Sequence, residues 1–347
     1  MRLSQADITP ISRRMPRRRS RAVSAGVAAV TVSLLAAGCH VPGTAAGAAG
    51  LTRSSITVAA LPGVDDAPLY IALHSGLFAN AGLTVNIQTY SSVGKEIAAL
   101  TNGSADVAVG DYADFFFAQD AADHPGFLIV ADGYDAAPSV MQVLTRPGSG
   151  VTTPHELAGK TIGTPEPQEI PFSTTLPYSE ETLATQSVLT NDGVSPASVH
   201  WKAMPSGQLV GALRSGAVSA ILATEPVIYQ AQAQLGATSV LDACSGQTAS
   251  LPLSGYFTLG SFARKYRGTV LAFRSALLKA QSRSAQAAPV QAALASNEHM
   301  GAQTASLVTL GVYPTSVKAS NLQRVASLMS SFNLLNPPLN VAKMIFR

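Results

Sequence analysis

Residues able to hold or act on a small molecule recur at one kind of place in this chain. They follow a short apolar run and precede a helix-start signal. Asp65-Asp66, Ser91-Ser92 with Gly94, Asp111-Tyr112, Tyr134-Asp135, Tyr178-Ser179 and Glu225 all sit there. Asp65-Asp66 and Asp111-x-x-Asp114 resemble paired carboxylates, a pattern used for general acid/base work. Helix capping explains both pairs more economically, because a carboxylate at a helix start satisfies free backbone N–H groups. Taken singly, each of these residues reads better as a cap or turn residue, and their weight comes from the shared placement. The six histidines (His40, His74, His124, His155, His200, His299) are dispersed without metal-ligand spacing, so no metal is expected. No phosphate-cradling glycine loop, H-E-x-x-H or G-x-S-x-G occurs; neither a catalytic residue nor a cofactor is predicted.

The elements that must position these residues alternate. Short apolar runs predict strands at 56–61, 83–89, 105–110, 127–131, 161–164, 199–204, 217–223, 239–241 and 251–259, and 141–146 reads as an exit from the first group of elements into a Pro/Gly linker. Helix signals lie between most of them: Pro68 in a first turn after Asp66, Ser91-Ser92 before 93–102, Asp111, and Glu180 opening 180–191. From Ser261 onward the pattern is almost entirely helical. Alternation of this kind predicts an α/β fold with largely parallel sheets. In such sheets ligands bind beyond the carboxyl ends of strands, where helix N-termini converge.

The chain has 347 residues and a formal charge of +3. That length suits two domains. A basic chain invites a polyanion reading, but the charge is unevenly placed. Seven arginines lie before residue 22, opposed only by Asp7, and an uncharged run follows to Gly38. This order of basic, apolar and small residues predicts an export signal over residues 1–38. Without it the chain is near −3, and no nucleic-acid partner is expected. Leu35-Ala36-Ala37-Gly38-Cys39 resembles a lipobox, which implies lipidation of Cys39. Residues 39–54 then read as a flexible Gly/Ala/Ser/Thr tether. Cys244 is left without an intrachain partner and reads as buried filler. Residues 56–145 hold ten acidic residues and one basic, and 252–347 hold ten basic and one acidic. The partition fits complementary halves of one unit or two solvated faces that never meet, and contact is expected only from the two-lobe topology that the resemblance below implies.

Several segments carry a family resemblance. They are Ala67-Pro68-Leu69-Tyr70-Ile71-Ala72 with Gly76-Leu77-Phe78, then Ala81-Gly82-Leu83-Thr84-Val85, and Asn102-Gly103-Ser104-Ala105-Asp106-Val107-Ala108. Glu156-Leu157-Ala158-Gly159-Lys160-Thr161-Ile162-Gly163 and Ala223-Thr224-Glu225-Pro226 continue the series. Over residues 56–273 the chain resembles substrate-binding proteins of ABC importers, in the nitrate/sulfonate/taurine and thiamine-pyrimidine group. The resemblance implies a two-lobe periplasmic-binding-protein fold of type II, each lobe a mostly parallel sheet flanked by helices, with a helical C-terminal tail. It implies a first lobe over 55–146, a second over 147–251, and completion of the first by 252–347. It also implies a small-molecule ligand, a membrane permease partner and an exported, lipid-anchored location; a monomer is expected. The positions carried over as ligand-binding are Asp65, Asp66, Ser91, Ser92, Gly94, Asp111 and Tyr112. Placement at turns adds Tyr134, Tyr178, Ser179 and Glu225. The proline-rich stretch 165–177 departs from the family's simple loop.

The turns carry several carboxylates and no Arg or Lys. Unpaired carboxylates repel an anion in a low-dielectric cleft, and tyrosines suit a planar ring. A neutral or cationic small molecule, such as a pyrimidine-like heterocycle, is therefore expected. The alternatives are a sulfonate- or nitrate-type anion binder of the same fold, or an enzyme or sensor on the same scaffold.

Overall fold

The computed structural model describes residues 51–121, 124–165, 179–297, 300–337 and 339–347. Ten strands follow the apolar runs: β1 (Ser55–Ala60), β2 (Thr84–Thr89), β3 (Val107–Asp111), β4 (Phe127–Asp135), β5 (Met141–Thr145), β6 (Thr161–Pro165), β7 (His200–Met204), β8 (Ala220–Thr224), β9 (Thr238–Asp242) and β10 (Pro252–Leu259). They form two five-stranded sheets, ordered β2-β1-β3-β10-β4 and β7-β6-β8-β5-β9. In the first sheet β1 runs parallel to β2 and β3, while β10 lies antiparallel between β3 and β4. In the second, β6 runs parallel to β7 and β8, while β5 lies antiparallel between β8 and β9. Each sheet thus has four strands pointing one way and one reversed. The reversed strands are the ones that arrive from the other sheet: β5 directly follows β4, and β10 directly follows β9.

Two expectations need correction. Residues 141–146 do not close the first lobe: Met141–Thr145 is β5, fully buried in the second sheet. An apolar run covered on both faces fits either sheet, and pairing with β8 and β9 settles which one. β4 also runs four residues past the predicted end, because β10 pairs with it as far as Asp135. Tyr134 and Asp135 therefore lie within a strand rather than at a strand-to-helix turn.

The helices are α1 (Ala67–His74), α2 (Leu77–Asn80), α3 (Val93–Thr101), α4 (Tyr112–Asp120), α5 (Glu180–Asn191), α6 (Ser206–Ser215), α7 (Val227–Leu235), α8 (Gly260–Lys265), α9 (Arg267–Arg283), α10 (Ala287–Asn297), α11 (Ala302–Ala305) and α12 (Ala319–Ser331). Among the described residues none is long and apolar enough to cross a membrane. Pro68 in the first turn of α1 supplies a preset φ where no N–H bond is needed. Ser92 caps α3 by accepting the Lys95 N–H, and Ser179 forms a capping box with Thr182 at α5.

The acidic early stretch and the basic late stretch do meet, and apolar side chains make the contact. Phe78 stacks on Phe273 of α9 at 5.2 Å between ring centres. Phe115 of α4 stacks on Phe257 of β10 at 3.9 Å. All four rings are fully buried, and truncating any one to alanine costs about 3–5 kcal/mol. Among the described residues the only salt bridge is Arg53–Asp106, at 2.8 Å. An exposed arginine in such a pair adds little stability.

β10 also fixes Tyr112. A side chain on Gly255 would place its Cβ 2.5 Å from the Tyr112 hydroxyl oxygen, so the ring fits only because that strand position is bare. Gly255→Ala is expected to destabilise the protein by about 1–3 kcal/mol through overpacking. Urea unfolding measures this; an unchanged midpoint would show that the ring has room to move.

Candidate functional site

β1, β3 and β8 end around one cavity of about 220 Å³. The first sheet contributes residues 61–65 beyond β1, Val109–Asp111 of β3, and Tyr134 of β4. The second contributes Thr224 and Glu225 at the end of β8, Met141 of β5, and Glu180 and Glu181 at the start of α5. Val140, Leu253, Ser254 and Thr309 complete the wall. This is the place where open α/β sheets receive ligands. A larger groove of about 1210 Å³ lies between α5 and α12. Arg324, its only charged lining residue, already donates to the carbonyls of Gln247, Ala249 and Ser250. Of these two, only the smaller cavity gathers several charged side chains among the described residues.

Asp65, Asp111, Glu180, Glu181 and Glu225 line that cavity, and among the described residues no Lys, Arg or His does. Burial pushes the Asp65 carboxyl up from its usual range against a hydrogen bond from the Ser254 side chain, and the charge of Glu181 adds to the rise. Burial raises Asp111 strongly, with Glu181, Asp114 and Asp65 adding repulsion. Burial, then Asp111, raises Glu180, against the Ala113 N–H that favours its charged form. Just beneath, Glu96 is fully buried and accepts the Val109 N–H at 3.0 Å. Its carboxyl is raised by burial, then by Asp65 and Asp111. Asp114 is pushed up to about 7 by burial and Glu181. Asp132 also reaches about 7, through burial and Asp135, despite the Tyr112 hydroxyl that donates to it at 2.8 Å.

Two of these carboxylates cross from one sheet's structure to the other's. Glu180 at the start of α5 accepts the Ala113 N–H, in the first turn of α4, at 3.3 Å. Glu225 accepts the Tyr229 N–H of α7 at 3.1 Å and the Thr309 N–H at 2.9 Å. Thr309 reaches the site because the segment after it is fastened to β4. Asp135 and Val312 exchange backbone hydrogen bonds, and the Tyr134 hydroxyl accepts the Gly311 N–H. Gly311 must be bare, since a Cβ there would collide with the Tyr134 ring and the Asp135 carbonyl.

Of the sequence-predicted site residues, the structure brings Asp65, Asp111, Tyr134 and Glu225 together at the cavity. Neither Asp66 nor Asp111 makes a side-chain cap bond at its helix start. Asp66 is buried at the head of α1, outside the lining. Ser92 caps α3, Gly94 lies inside that helix, and exposed Ser91 accepts from Lys95 Nζ at 2.8 Å. Tyr112 is fully buried, with its ring against Phe116 and Phe257 and its hydroxyl on Asp132. Ser179 caps α5 one residue before Glu180. Tyr178 and Cys39 lie outside the described residues. Glu180 and Glu181, outside the sequence-predicted set, also line the cavity, and their place beside the Ser179 cap is the signal the sequence carries for them. Ser254 and Thr309 gave none, because distant segments bring them in. Cys244 is buried, and burial beside Asp242 pushes its thiol up to about 12, so it stays an unreactive thiol.

A family model described as NMT1/THI5 like matches residues 64–292, and the chain belongs to that family. No curated protein matches the chain. Among solved structures, the periplasmic aliphatic sulphonate binding protein SsuA from Escherichia coli is similar at a TM-score of 0.66 and 15% identity, over 85% of this chain and 98% of that one. The periplasmic nitrate-binding protein NrtA from Synechocystis PCC 6803 is similar at 0.67 and 15%, over 85% and 87%. The desulfurization enzyme DSZB is similar at 0.64 and 16%, over 84% and 96%. These identities establish the fold, which is the two-sheet α/β fold of periplasmic binding proteins.

The raised carboxyls set a pH dependence of stability. Asp114 and Asp132 start from 3.8 and reach about 7 in the fold. Between those values the folded chain holds protons that the unfolded chain has lost. The stability tied to those protons is complete below about pH 4 and is lost as pH rises through about 7. The melting temperature of the ligand-free protein should fall by about 5 °C or more from pH 5 to pH 7.5. Asp114→Asn and Asp132→Asn should flatten that slope. Thermal melts across this range test it, and a melting temperature that climbs with pH would contradict it.

Proposed function

We propose that the protein is the exported, extracytoplasmic solute-binding component of an ABC import system. It binds a small neutral or cationic molecule, with pyrimidine-like heterocycles among the candidates, and delivers it to a membrane permease. The observation that carries this reading is the cavity, whose walls come from the strand ends of two sheets joined by two reversed strands. In this reading the first lobe comprises the first sheet with residues 252–347, and the second comprises residues 141–251. Residues 1–38 are the export signal, Cys39 bears the lipid, and residues 40–54 tether the body near its permease.

Closure would follow from differential affinity. A solute touching both walls favours the state in which the walls meet, and shifts the population only by that difference. The carboxylates on the lining speak against the anion-binding alternative. The fold is shared with an enzyme as well as with binding proteins. The test is mass spectrometry of small molecules released on denaturing freshly purified protein. One neutral or basic compound released near one per chain is expected. Release of nothing, or conversion of an added compound into a product, would contradict the reading.

A further inference from the structure

The reading above leaves the solute's charge open between neutral and cationic. We propose that the solute carries a cationic head group with at least two N–H donors (an amine, an amidinium or a protonated amino-heterocycle) and that Glu180 selects it. This rests on the cavity being the solute site.

Anions are normally received at a helix N-terminus, where free N–H groups and the helix dipole favour negative charge. On the first sheet's side the cap residue of α4, Asp111, lies on the lining and makes no side-chain cap bond. Glu180 already occupies that helix start, with Oε2 on the Ala113 N–H. An incoming anion would have to displace a carboxylate of the chain and then face Asp65, Asp111 and Glu181.

The other oxygen of the same carboxylate points to the opposite charge. Glu180 is 3% exposed and lines the cavity, and its Oε1 makes no hydrogen bond within the chain. A buried acceptor without a donor costs free energy, and more so when charged. An N–H cation supplies the donor and the compensating charge together. A neutral solute would supply at most the donor, leaving the mutual repulsion of the carboxylates in place. Glu180 also joins the two sides of the cavity through Ala113, so the head group would bind where the walls already touch.

Three isosteric probes separate the charges on one planar frame: benzamidine as cation, benzamide as neutral, benzoate as anion. Each is titrated calorimetrically into purified full-length protein at pH 7.5, in two buffers of different ionisation enthalpy. Benzamidine should bind at least about tenfold tighter than benzamide, the difference expected for a hydrogen bond to a charged group, and benzoate should not bind. Binding of benzamidine should release protons, because the cation draws the raised carboxyls into their charged form. Glu180→Gln keeps an acceptor for Ala113 and should remove most of the benzamidine preference while leaving the ligand-free melt cooperative. Equal or tighter binding of benzamide or benzoate, or no binding of any probe, overturns the cationic assignment. An unchanged preference in Glu180→Gln overturns the role of Glu180. If that variant fails to fold, the three probes on the wild-type protein decide alone. The released-solute measurement keeps the two readings apart: an uncharged or anionic compound sinks the cation and spares the binding function.

Discussion

Among the described residues, the carboxylates around the cavity have no lining cation to answer them. Asp65, Asp111, Glu180, Glu181 and Glu225 reach one small cavity from both sheets, and backbone N–H groups meet several of these buried acids. Ala113 serves Glu180, Thr309 and Tyr229 serve Glu225, and Val109 serves Glu96 beneath. Burying charge this way costs stability unless a group keeps its proton or gains a partner. The apolar packing of both sheets has to offset that cost. The Phe78–Phe273 and Phe115–Phe257 stacks therefore belong to the same design as the cavity: they hold a strained electrostatic site in place.

The topology explains how one chain builds such a site from two sides. β5 and β10 are each the reversed strand of a sheet whose other members run together. Each places the residues around its crossing, Val140 and Met141 in one case and Leu253 and Ser254 in the other, on the cavity wall. The two side-chain bonds that span the cavity, from Glu180 and Glu225, are acceptors on one side and backbone donors on the other. They are individually weak bonds of about 1.5–3 kcal/mol at most. That scale suits contacts that must break and re-form when walls part.

Most of the fold was legible because its strands are short apolar runs with clear breaks. Legibility ended where a distant partner decided the outcome. β4 outran its apolar stretch because β10, more than a hundred residues later, pairs to its end. Tyr112 follows a strand as a cleft residue would, yet the bare backbone of Gly255 and the ring of Phe257 draw it into the core. Ser91, Ser92 and Ser179 sit at helix starts, and local capping or contacts within α3 account for them. Glu180 and Glu181 look in sequence like ordinary first-turn acids; only the fold shows that they face the first sheet's carboxylates. The opposite charges of the early and late stretches did not by themselves decide whether they meet; the two-lobe topology implied it, and stacked rings rather than ion pairs make the contact.

The most direct measurement is a crystal structure of the protein purified with its native solute still bound. The predicted result is a single small molecule enclosed at the ends of β1, β3 and β8, within hydrogen-bonding distance of Glu180 Oε1 and of at least one of Asp65, Asp111 and Glu225. A solute seated instead in the groove between α5 and α12, or a cavity holding only an anion against the Ala113 N–H with Glu180 swung away, would contradict it.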